Sequence, residues 1–283
     1  MQTTQPSQWA RYELHSLPLH FTLCPAISTS APLTQPPQVK YILLDCDNTL
    51  VQSERLAFEA CAELTNEVME LKKVSDRYTA AKLLDDFVGF NFRGMLKGLQ
   101  QKHNFTLTDE EMESFVAREL GAVTKKLSEK AVECPGVTKE LTKLKEQGYP
   151  MSVVSTSAGS RVVASIEKAG IAHFFPKEHV YSAATSLNPP SSKPDPAIYF
   201  YACEQLGVKP EETVTVEDSK SGATAAMRAG IPCIAYVGIY GIEEGKEKME
   251  QMAELLTKET KAVAVMYDWS EFQECLKKVE AKL

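Results

Sequence analysis

From residue 40 onward, short apolar segments alternate with amphipathic helical patterns, and this alternation strongly restricts the possible folds. Six apolar segments have the length of buried strands: residues 41–45, 150–156, 179–183, 213–218, 231–237 and 261–266. Four amphipathic segments lie among them and each ends in Gly, a common helix stop: residues 136–148, 160–170, 196–207 and 221–230. This order predicts an α/β fold with a mostly parallel sheet covered by helices on both faces.

Residues 52–133 interrupt the alternation. They contain no convincing strand and carry long helical patterns such as LAFEACAELTNEVMEL and TDEEMESFVARELGAVTKKL. A block of this length is too long for an ordinary connection between a strand and a helix. We predict an α/β core formed by residues 39–52 and 134–283, with residues 53–133 as an inserted helical cap domain. A cap that leaves and returns beside the first strand could exclude water from a site there.

Residues 1–38 differ in composition from the rest of the chain. They are rich in Ser, Thr, Pro and Gln, with Glu13 as their only acidic residue. This composition indicates a disordered extension, or alternatively a targeting segment, because transit peptides are poor in acids and rich in hydroxyl residues. Only Arg11 supplies positive charge before Lys40, which weakens the second reading.

The overall composition excludes several classes of protein. The formal net charge is -7 and no long run of Lys or Arg occurs, so we expect no nucleic-acid partner. No segment approaches eighteen apolar residues, so we expect no membrane span. The seven cysteines are scattered without a CxxC pair and indicate reduced thiols. We expect a cytoplasmic monomer, with organelle import through the N-terminal extension as an alternative location.

Polar side chains cluster where the predicted strands end. Asp45 and Asp47 follow the first strand, Ser155 closes the second, and Glu217 and Asp218 close the fourth. The carboxyl ends of parallel strands share one sheet edge, where ligands bind in such folds. Neighbouring carboxylates repel each other and raise each other's pKa. A cluster of them without a positively charged partner is therefore energetically unfavourable. The arrangement therefore points to a bound cation.

Four short motifs resemble the ordered motifs of the haloacid dehalogenase-like (HAD) superfamily. They are DCDNT (45–49), VVSTS (153–157), SSKPD (191–195) and VEDSKSG (216–222). The helical insertion after the first motif is similar to the C1 cap of the β-phosphoglucomutase and sugar-phosphatase branch. The resemblance implies a Rossmann-like core with a C1 cap, and phosphoryl transfer through an aspartyl-phosphate.

The resemblance also implies a role for each motif residue. Asp45 would be the nucleophile, and Asp47 would act first as a general acid and then as a general base. Ser155, the Thr156 backbone amide and Lys193 would bind the phosphate. Mg²⁺ would be held by the Asp45 carboxylate, the Asp47 backbone carbonyl and the acidic pair Glu217 and Asp218, an all-oxygen set that suits this ion.

The substrate is expected to be a small phosphorylated metabolite such as a sugar, polyol or glycolate-type phosphate. Arg93, in the segment FVGFNFRGM (87–95), could contact sugar hydroxyls or a second phosphate, or could lie on a solvated helix face. A phosphomutase and a non-catalytic phospho-ligand binding protein are the alternatives. Thr49 and Ala57 stand where the mutase branch often has Val and His, and these departures favour a phosphatase.

Overall fold

The computed structural model describes residues 39–87 and 90–283, so the predicted extension at residues 1–38 lies outside the described residues. The described residues form one six-stranded sheet in the order β3-β2-β1-β4-β5-β6, with every neighbouring pair parallel. The strands are β1 Tyr41–Leu44, β2 Met151–Ser155, β3 Val180–Ser182, β4 Thr213–Glu217, β5 Cys233–Tyr236 and β6 Ala264–Met266. The predicted parallel sheet is therefore confirmed, with each strand inside its predicted segment.

Strand β1 shows why the apolar segments have no polar face. Its side chains alternate between the two faces of the sheet, and both faces are covered. Ile42 and Leu44 pack into one apolar cluster, whereas Tyr41 and Leu43 pack into a second. All four residues are buried, as expected for a central strand of a parallel sheet.

Helices from the second half of the chain cover both faces of the sheet. On one face lie α5 Val137–Glu146, α6 Gly159–Lys168 and α11 Phe272–Glu280, whose apolar residues belong to the cluster around Ile42. On the other face lie α7 Ala197–Leu206, α8 Lys220–Ala229 and α10 Lys246–Thr260. The short helix α9 Gly238–Glu243 follows β5.

Four helices lie between β1 and α5, within the segment predicted to be an insertion. They are α1 Glu54–Leu71, α2 Ala80–Asp86, α3 Phe92–His103 and α4 Asp109–Lys130. Helix α1 buries one stripe that includes Ala57, Cys61, Leu64 and Val68, which is the spacing of an amphipathic helix. These helices share an apolar cluster with the sheet. Their division from the core as a separate domain remains a prediction.

The loop after β1 rests on a tryptophan from the far end of the chain. Trp269 is fully buried, and its indole Nε1 donates a hydrogen bond to the Thr49 backbone carbonyl at 3.2 Å. The ring stacks on Phe272 and packs against Tyr236, with ring centroids 6.0 and 5.8 Å away. Residues that are distant in sequence therefore support the loop that contains the first motif.

Across residues 39–87 and 90–283, no helix combines the length and the apolar character that a membrane crossing requires.

Candidate active site

The strand order brings the motif residues to one edge of the sheet. Strand β1 pairs with β2 on one side and β4 on the other, so the chain diverges in opposite directions from β1. Crevices form at such switch points, beyond the carboxyl ends of the strands. Asp45 directly follows β1, and its backbone amide donates to the Val216 carbonyl of β4 at 3.1 Å. Ser155 ends β2 and Asp218 follows β4 at the same edge.

Lys193 connects the acidic residues of this edge. Its Nζ lies 2.7 Å from Asp45 Oδ1, 2.6 Å from Glu217 Oε1 and 2.7 Å from the Val154 backbone carbonyl. The side chain is almost fully buried. Burial alone would lower the pKa of Lys193, but the two carboxylates outweigh it and raise the pKa. Lys193 is therefore a charged ammonium that holds two carboxylates in place.

The loop that carries Lys193 is fastened to the end of β2. The Lys193 backbone amide donates to Thr156 Oγ1 at 3.3 Å. Thr156 also lines the cavity above the sheet edge. The hydroxyl of Thr156 thus fixes the loop that presents the lysine, which the sequence did not predict.

Asp45 is poorly stabilised as an anion in this arrangement. Burial raises the pKa of Asp45 to about 7, because the attraction of Lys193 only partly offsets burial and the repulsion of Glu217 and Asp47. The pKa of Asp218 is also raised well above its usual value, first by burial and then by Asp45 and Glu217. Such a cluster of carboxylates would be stabilised by an additional positive charge.

The donor atoms at this edge fit a hard divalent cation. Asp45, Glu217 and Asp218 each offer a carboxylate oxygen, and the three oxygens lie within 4.8 Å of one another. Glu217 Oε2 is buried without a hydrogen-bond partner among the described residues. Mg²⁺ prefers oxygen ligands, so a buried carboxylate oxygen that has no other partner and lies beside two further carboxylates is suited to bind this ion. The Asp47 carboxylate is not part of this trio.

A glycine allows Glu217 to approach the first turn of α8. A Cβ atom built on Gly222 would lie 1.8 Å from Glu217 Oε2 and 2.2 Å from its carboxyl carbon. Any larger residue would displace the Glu217 carboxylate. The glycine of VEDSKSG therefore has a steric function, and Ser219 Oγ caps the same helix by accepting from the Gly222 amide at 3.1 Å.

The Asp47 side chain points to a different set of partners. Ser53 Oγ donates to Asp47 Oδ1 at 2.5 Å, and Ser157 Oγ donates to Oδ2 at 2.6 Å. Arg161 Nη2 lies 3.5 Å from Oδ1. Burial alone would raise the pKa of Asp47, but Arg161 and the two serine hydroxyls outweigh it and leave the pKa below its usual value. The two acids of the first motif thus have opposite electrostatic environments.

Ser155 is fully buried between Asp47 and the start of the next helix. Its Oγ accepts from the Ser157 amide at 3.0 Å and lies 3.5 Å from Asp47 Oδ2. The hydroxyl therefore organises the turn after β2 as well as standing close to Asp47. Its predicted contact with a phosphate oxygen remains a prediction.

A cavity of about 450 Å³ opens above these residues. Its floor includes Asp45, Asp47, Thr156, Lys193 and Asp218. The inserted segment contributes the wall residues Glu54, Ala57, Phe58, Cys61, Phe90, Asn91, Phe92, Met95 and Glu119. The inserted segment therefore contributes side chains directly to the cavity that contains Asp45.

Arg93 does not belong to this wall. Its guanidinium forms a two-point ion pair with Glu113, at 2.5 Å from Nη1 to Oε1 and 2.6 Å from Nη2 to Oε2. Helix α3 turns Phe92 and Met95 inward, and Arg93 lies on a more exposed face. The structure does not bring Arg93 together with the other predicted site residues, and the alternative of a solvated helix face describes its position better.

Two tyrosines contact the acidic cluster and were not predicted. Tyr199 of α7 donates to Glu217 Oε1 and lies 3.0 Å from Thr215 Oγ1. Tyr240 of α9 donates to Asp218 Oδ2 at 3.2 Å. Both occur in ordinary helical patterns, and nothing in the sequence marks them as site residues. Arg161 and Ser157 were visible only as part of a helix start after the second motif.

Comparison with known proteins gives consistent matches. The sequence profile of the haloacid dehalogenase-like hydrolases matches residues 42–236. The 6-phosphogluconate phosphatase of Escherichia coli is 26% identical over 197 residues, which cover 69% of this chain and 80% of that protein. The phosphorylated carbohydrates phosphatase of Thermotoga maritima is 25% identical over 231 residues, covering 80% and 97%.

A solved structure shares the fold. The crystal structure of a haloacid dehalogenase-like protein from Agrobacterium tumefaciens superposes with a TM-score of 0.65 at 24% identity, covering 84% of this chain and 97% of that one. The profile spans the strands β1 to β5 and all four motifs. The chain therefore belongs to the haloacid dehalogenase-like hydrolase family, as a phosphatase-type enzyme.

Proposed function

We propose that the protein is a Mg²⁺-dependent phosphatase that hydrolyses small phosphorylated metabolites of the sugar, polyol or glycolate type through an aspartyl-phosphate. The observation that carries the proposal is the contact of one buried lysine with Asp45 and Glu217, at 2.7 and 2.6 Å, beside a third carboxylate. A phosphate monoester is an anion with a poor leaving group. Its hydrolysis needs charge neutralisation, a nucleophile and an acid, and the site offers each of these.

In the first step, an oxygen of the Asp45 carboxylate attacks phosphorus and the bond from phosphorus to the leaving oxygen breaks. Asp47 delivers a proton to that oxygen, so the product leaves as an alcohol. Lys193 compensates negative charge between the nucleophile and the phosphate. Asp45, Glu217 and Asp218 would hold Mg²⁺ with the Asp47 backbone carbonyl, and the ion would supply further charge neutralisation at the phosphoryl oxygens.

In the second step, a water molecule attacks the phosphorus of the aspartyl-phosphate. Asp47, now ionised, removes a proton from this water, and the bond from phosphorus to the Asp45 oxygen breaks. Inorganic phosphate leaves and both carboxyl groups return to their initial states. The contacts of Asp47 with Ser53, Ser157 and Arg161 hold the side chain in one orientation, and they favour the ionised form that the second step needs. The proton for the first step is therefore taken up when the anionic substrate binds, because a nearby negative charge raises the pKa of a carboxyl group.

The substrate class is supported by the size of the cavity and by two relatives. About 450 Å³ suits a small metabolite rather than a protein or a nucleic acid. The names of the two bacterial relatives refer to phosphorylated carbohydrates or their acids. We keep the phosphomutase as a second possibility to be tested, although Ala57 of the cavity wall has no group that could transfer a proton.

Phosphate release from a panel of sugar, polyol and glycolate phosphates, with Mg²⁺ and with EDTA, tests the proposal. We expect Mg²⁺-dependent release that Asp45→Asn abolishes. Release that is equal in EDTA, or that persists in Asp45→Asn, would contradict the mechanism. Conversion of β-glucose 1-phosphate to glucose 6-phosphate without net phosphate release would establish the mutase instead.

The cellular location and the assembly state belong to the same proposal. We propose a cytoplasmic monomer. The six cysteines in the described part of the chain are free and buried, which supports a reducing compartment. Gel filtration with light scattering and a fluorescent fusion to the full chain would check these two points.

A further inference from the structure

The charged residues that line the cavity are mainly acidic. Among the described residues, five carboxylates line it, from Asp45, Asp47, Glu54, Glu119 and Asp218, against two cations, Arg161 and Lys193. Both cations have carboxylate partners at the reacting end. Lys193 contacts Asp45 and Glu217, and Arg161 lies beside Asp47. Arg161 Nε is buried without a hydrogen-bond partner in the described part of the chain, but Arg161 belongs to α6 and lies beside Asp47. None of the described lining residues that come from the inserted segment is a cation that could pair with an anion elsewhere on the substrate.

The wall supplied by the inserted helices has a different chemistry. It presents three aromatic rings and a thioether, from Phe58, Phe90, Phe92 and Met95. Aromatic and apolar faces pack well against the C–H faces of carbohydrates. The polar side chains that α3 and α4 add to this wall are Asn91, whose Oδ1 accepts from the Gly94 amide, and Glu119.

Glu119 is an available hydrogen-bond acceptor. No hydrogen bond or ion pair within residues 39–87 and 90–283 includes its carboxylate, although the side chain is partly buried. Burial raises the pKa of Glu119, and the attraction of Arg161 partly offsets this effect. An ionised carboxylate accepts hydrogen bonds from hydroxyl groups and repels other anions.

We propose that Glu119 makes the enzyme selective for monophosphates whose remaining part is uncharged and carries hydroxyl groups. This inference rests on the proposed phosphatase activity and narrows its substrate class to the sugar and polyol phosphates, with glycolate-type phosphates disfavoured. Sugar and polyol monophosphates would place hydroxyl groups against Glu119 and carbon faces against the aromatic wall. Bisphosphates and phosphorylated carboxylic acids would bring a second anion to a wall that offers no free cation, which is costly where water is partly excluded.

The inference separates this chain from one of its relatives. The E. coli protein is named for 6-phosphogluconate, whose sixth carbon carries phosphate and whose first carbon is a carboxylate. The arrangement of Glu119, Arg93 and Glu113 predicts a different preference here. Arg93 could have paired with such a carboxylate, but it forms an ion pair with Glu113 outside the cavity.

Substrate pairs that differ only in one carboxylate test the proposal. Sorbitol 6-phosphate and 6-phosphogluconate form one pair, and glycerol 3-phosphate and 3-phosphoglycerate form another. In each pair the carboxylate replaces a CH₂OH group. We expect kcat/KM for the uncharged member to be higher by about tenfold or more, since a repelled anion is commonly disfavoured by at least this factor.

Glu119→Gln should reduce this ratio, mainly through a lower KM for the carboxylate member. Glu110→Gln is the matched control, because it makes the same change at an exposed position of the same helix α4 and should leave the ratio unchanged. Circular dichroism of both variants verifies their folding. The wild-type ratio is informative even if Glu119→Gln does not fold.

Equal rates within each pair, or preference for the carboxylate member, would overturn the inference while leaving the phosphatase activity intact. An unchanged ratio in a folded Glu119→Gln would overturn the role of Glu119. Absence of release from all four compounds and from p-nitrophenyl phosphate would overturn the proposed phosphatase activity and this inference with it.

Discussion

Lys193 satisfies three acceptors with one ammonium group while almost excluded from water. Removing one member of a buried charged group leaves the others unpaired, and this is costlier than the loss of a surface ion pair. The lysine is therefore as important for the folded state as for the proposed chemistry. Its contribution to stability and its contribution to activity can be measured separately.

We predict that Lys193→Met lowers the free energy of unfolding by about 3–5 kcal/mol, because Asp45 and Glu217 lose their buried cation. Urea unfolding of the metal-free protein measures this change. Lys246→Met is the control, since its ion pair with Glu250 is exposed and should contribute less than about 1 kcal/mol. Similar losses in the two variants would contradict the structural role of Lys193.

We predict that Asp47→Asn slows hydrolysis of a sugar phosphate by about 10²–10⁴-fold, the usual contribution of general acid–base catalysis. The loss should be smaller in the first step with p-nitrophenyl phosphate, because its leaving group needs little protonation. Single-turnover measurements of alcohol release compare the two substrates. Equal losses for both would argue that Asp47 acts by positioning rather than as an acid.

The sequence predicted the residues at the ends of strands better than those on helices. Asp45, Ser155 and Asp218 follow apolar strands, and parallel pairing necessarily brings such positions to one edge. The contact of Arg161 with Asp47 depends on the angle at which α6 leaves the sheet. The direction of Arg93 depends on which face of α3 packs inward. When a helix carries several polar residues, the local sequence predicts neither the angle at which it leaves the sheet, as for α6, nor the face that packs inward, as for α3.

At the scale of elements, the start of α8 is packed directly against the acidic cluster. Glu217 ends β4, and α8 begins at Lys220, so the turn between them is short. Gly222 leaves the space that the Glu217 carboxylate occupies. The position of this helix is therefore coupled to the geometry of the predicted metal ligands.

We predict that Gly222→Ala lowers the free energy of unfolding by about 1–3 kcal/mol and weakens Mg²⁺ binding, because its Cβ would collide with Glu217. Unfolding curves and Mg²⁺ titrations measure the two effects. Gly121→Ala is the matched control in α4, where a Cβ would meet no atom within 4 Å. That variant should be more stable than the parent by about 0.5–1 kcal/mol. Unchanged Mg²⁺ affinity in Gly222→Ala would contradict the coupling.

Helices α9 and α10, which lie between β5 and β6, were not predicted from the sequence. The segment after β5 has helical composition but no Gly-terminated amphipathic pattern like the four helices that were predicted. Helix α9 has six residues, and two of them are glycines. Its tyrosine nevertheless contacts Asp218, so an element without a clear local signal contributes to the site.

For the whole molecule, the acidic site lies where three strands of the sheet meet. A cation bound there would connect the loops that follow β1 and β4. We predict that Mg²⁺ at about 100 times its Kd stabilises the fold by about 2.7 kcal/mol, by mass action on the folded state. Thermal unfolding with Mg²⁺ and with EDTA measures this shift, which Asp218→Asn should remove. A shift that persists in this variant would place the ion elsewhere.

The stabilisation by Mg²⁺ should also depend on pH. The pKa of Asp45 is raised to about 7 in the metal-free protein, so below this pH the ion must displace a proton from the carboxyl group. We predict a larger increase in Tm at pH 8 than at pH 6 for the same Mg²⁺ concentration. Equal shifts at both pH values would indicate that Asp45 is already ionised at pH 6.

The hydrogen bond from Trp269 to Thr49 joins residues separated by 220 positions. A ribosome makes the loop of the first motif early and its buried support only near the end of translation. A nascent chain that already contains all four motifs would still lack the indole beneath that loop. The enzyme is therefore expected to gain full activity only after residue 269 has emerged, so arrested translation products that end before Trp269 should be less active than the full chain.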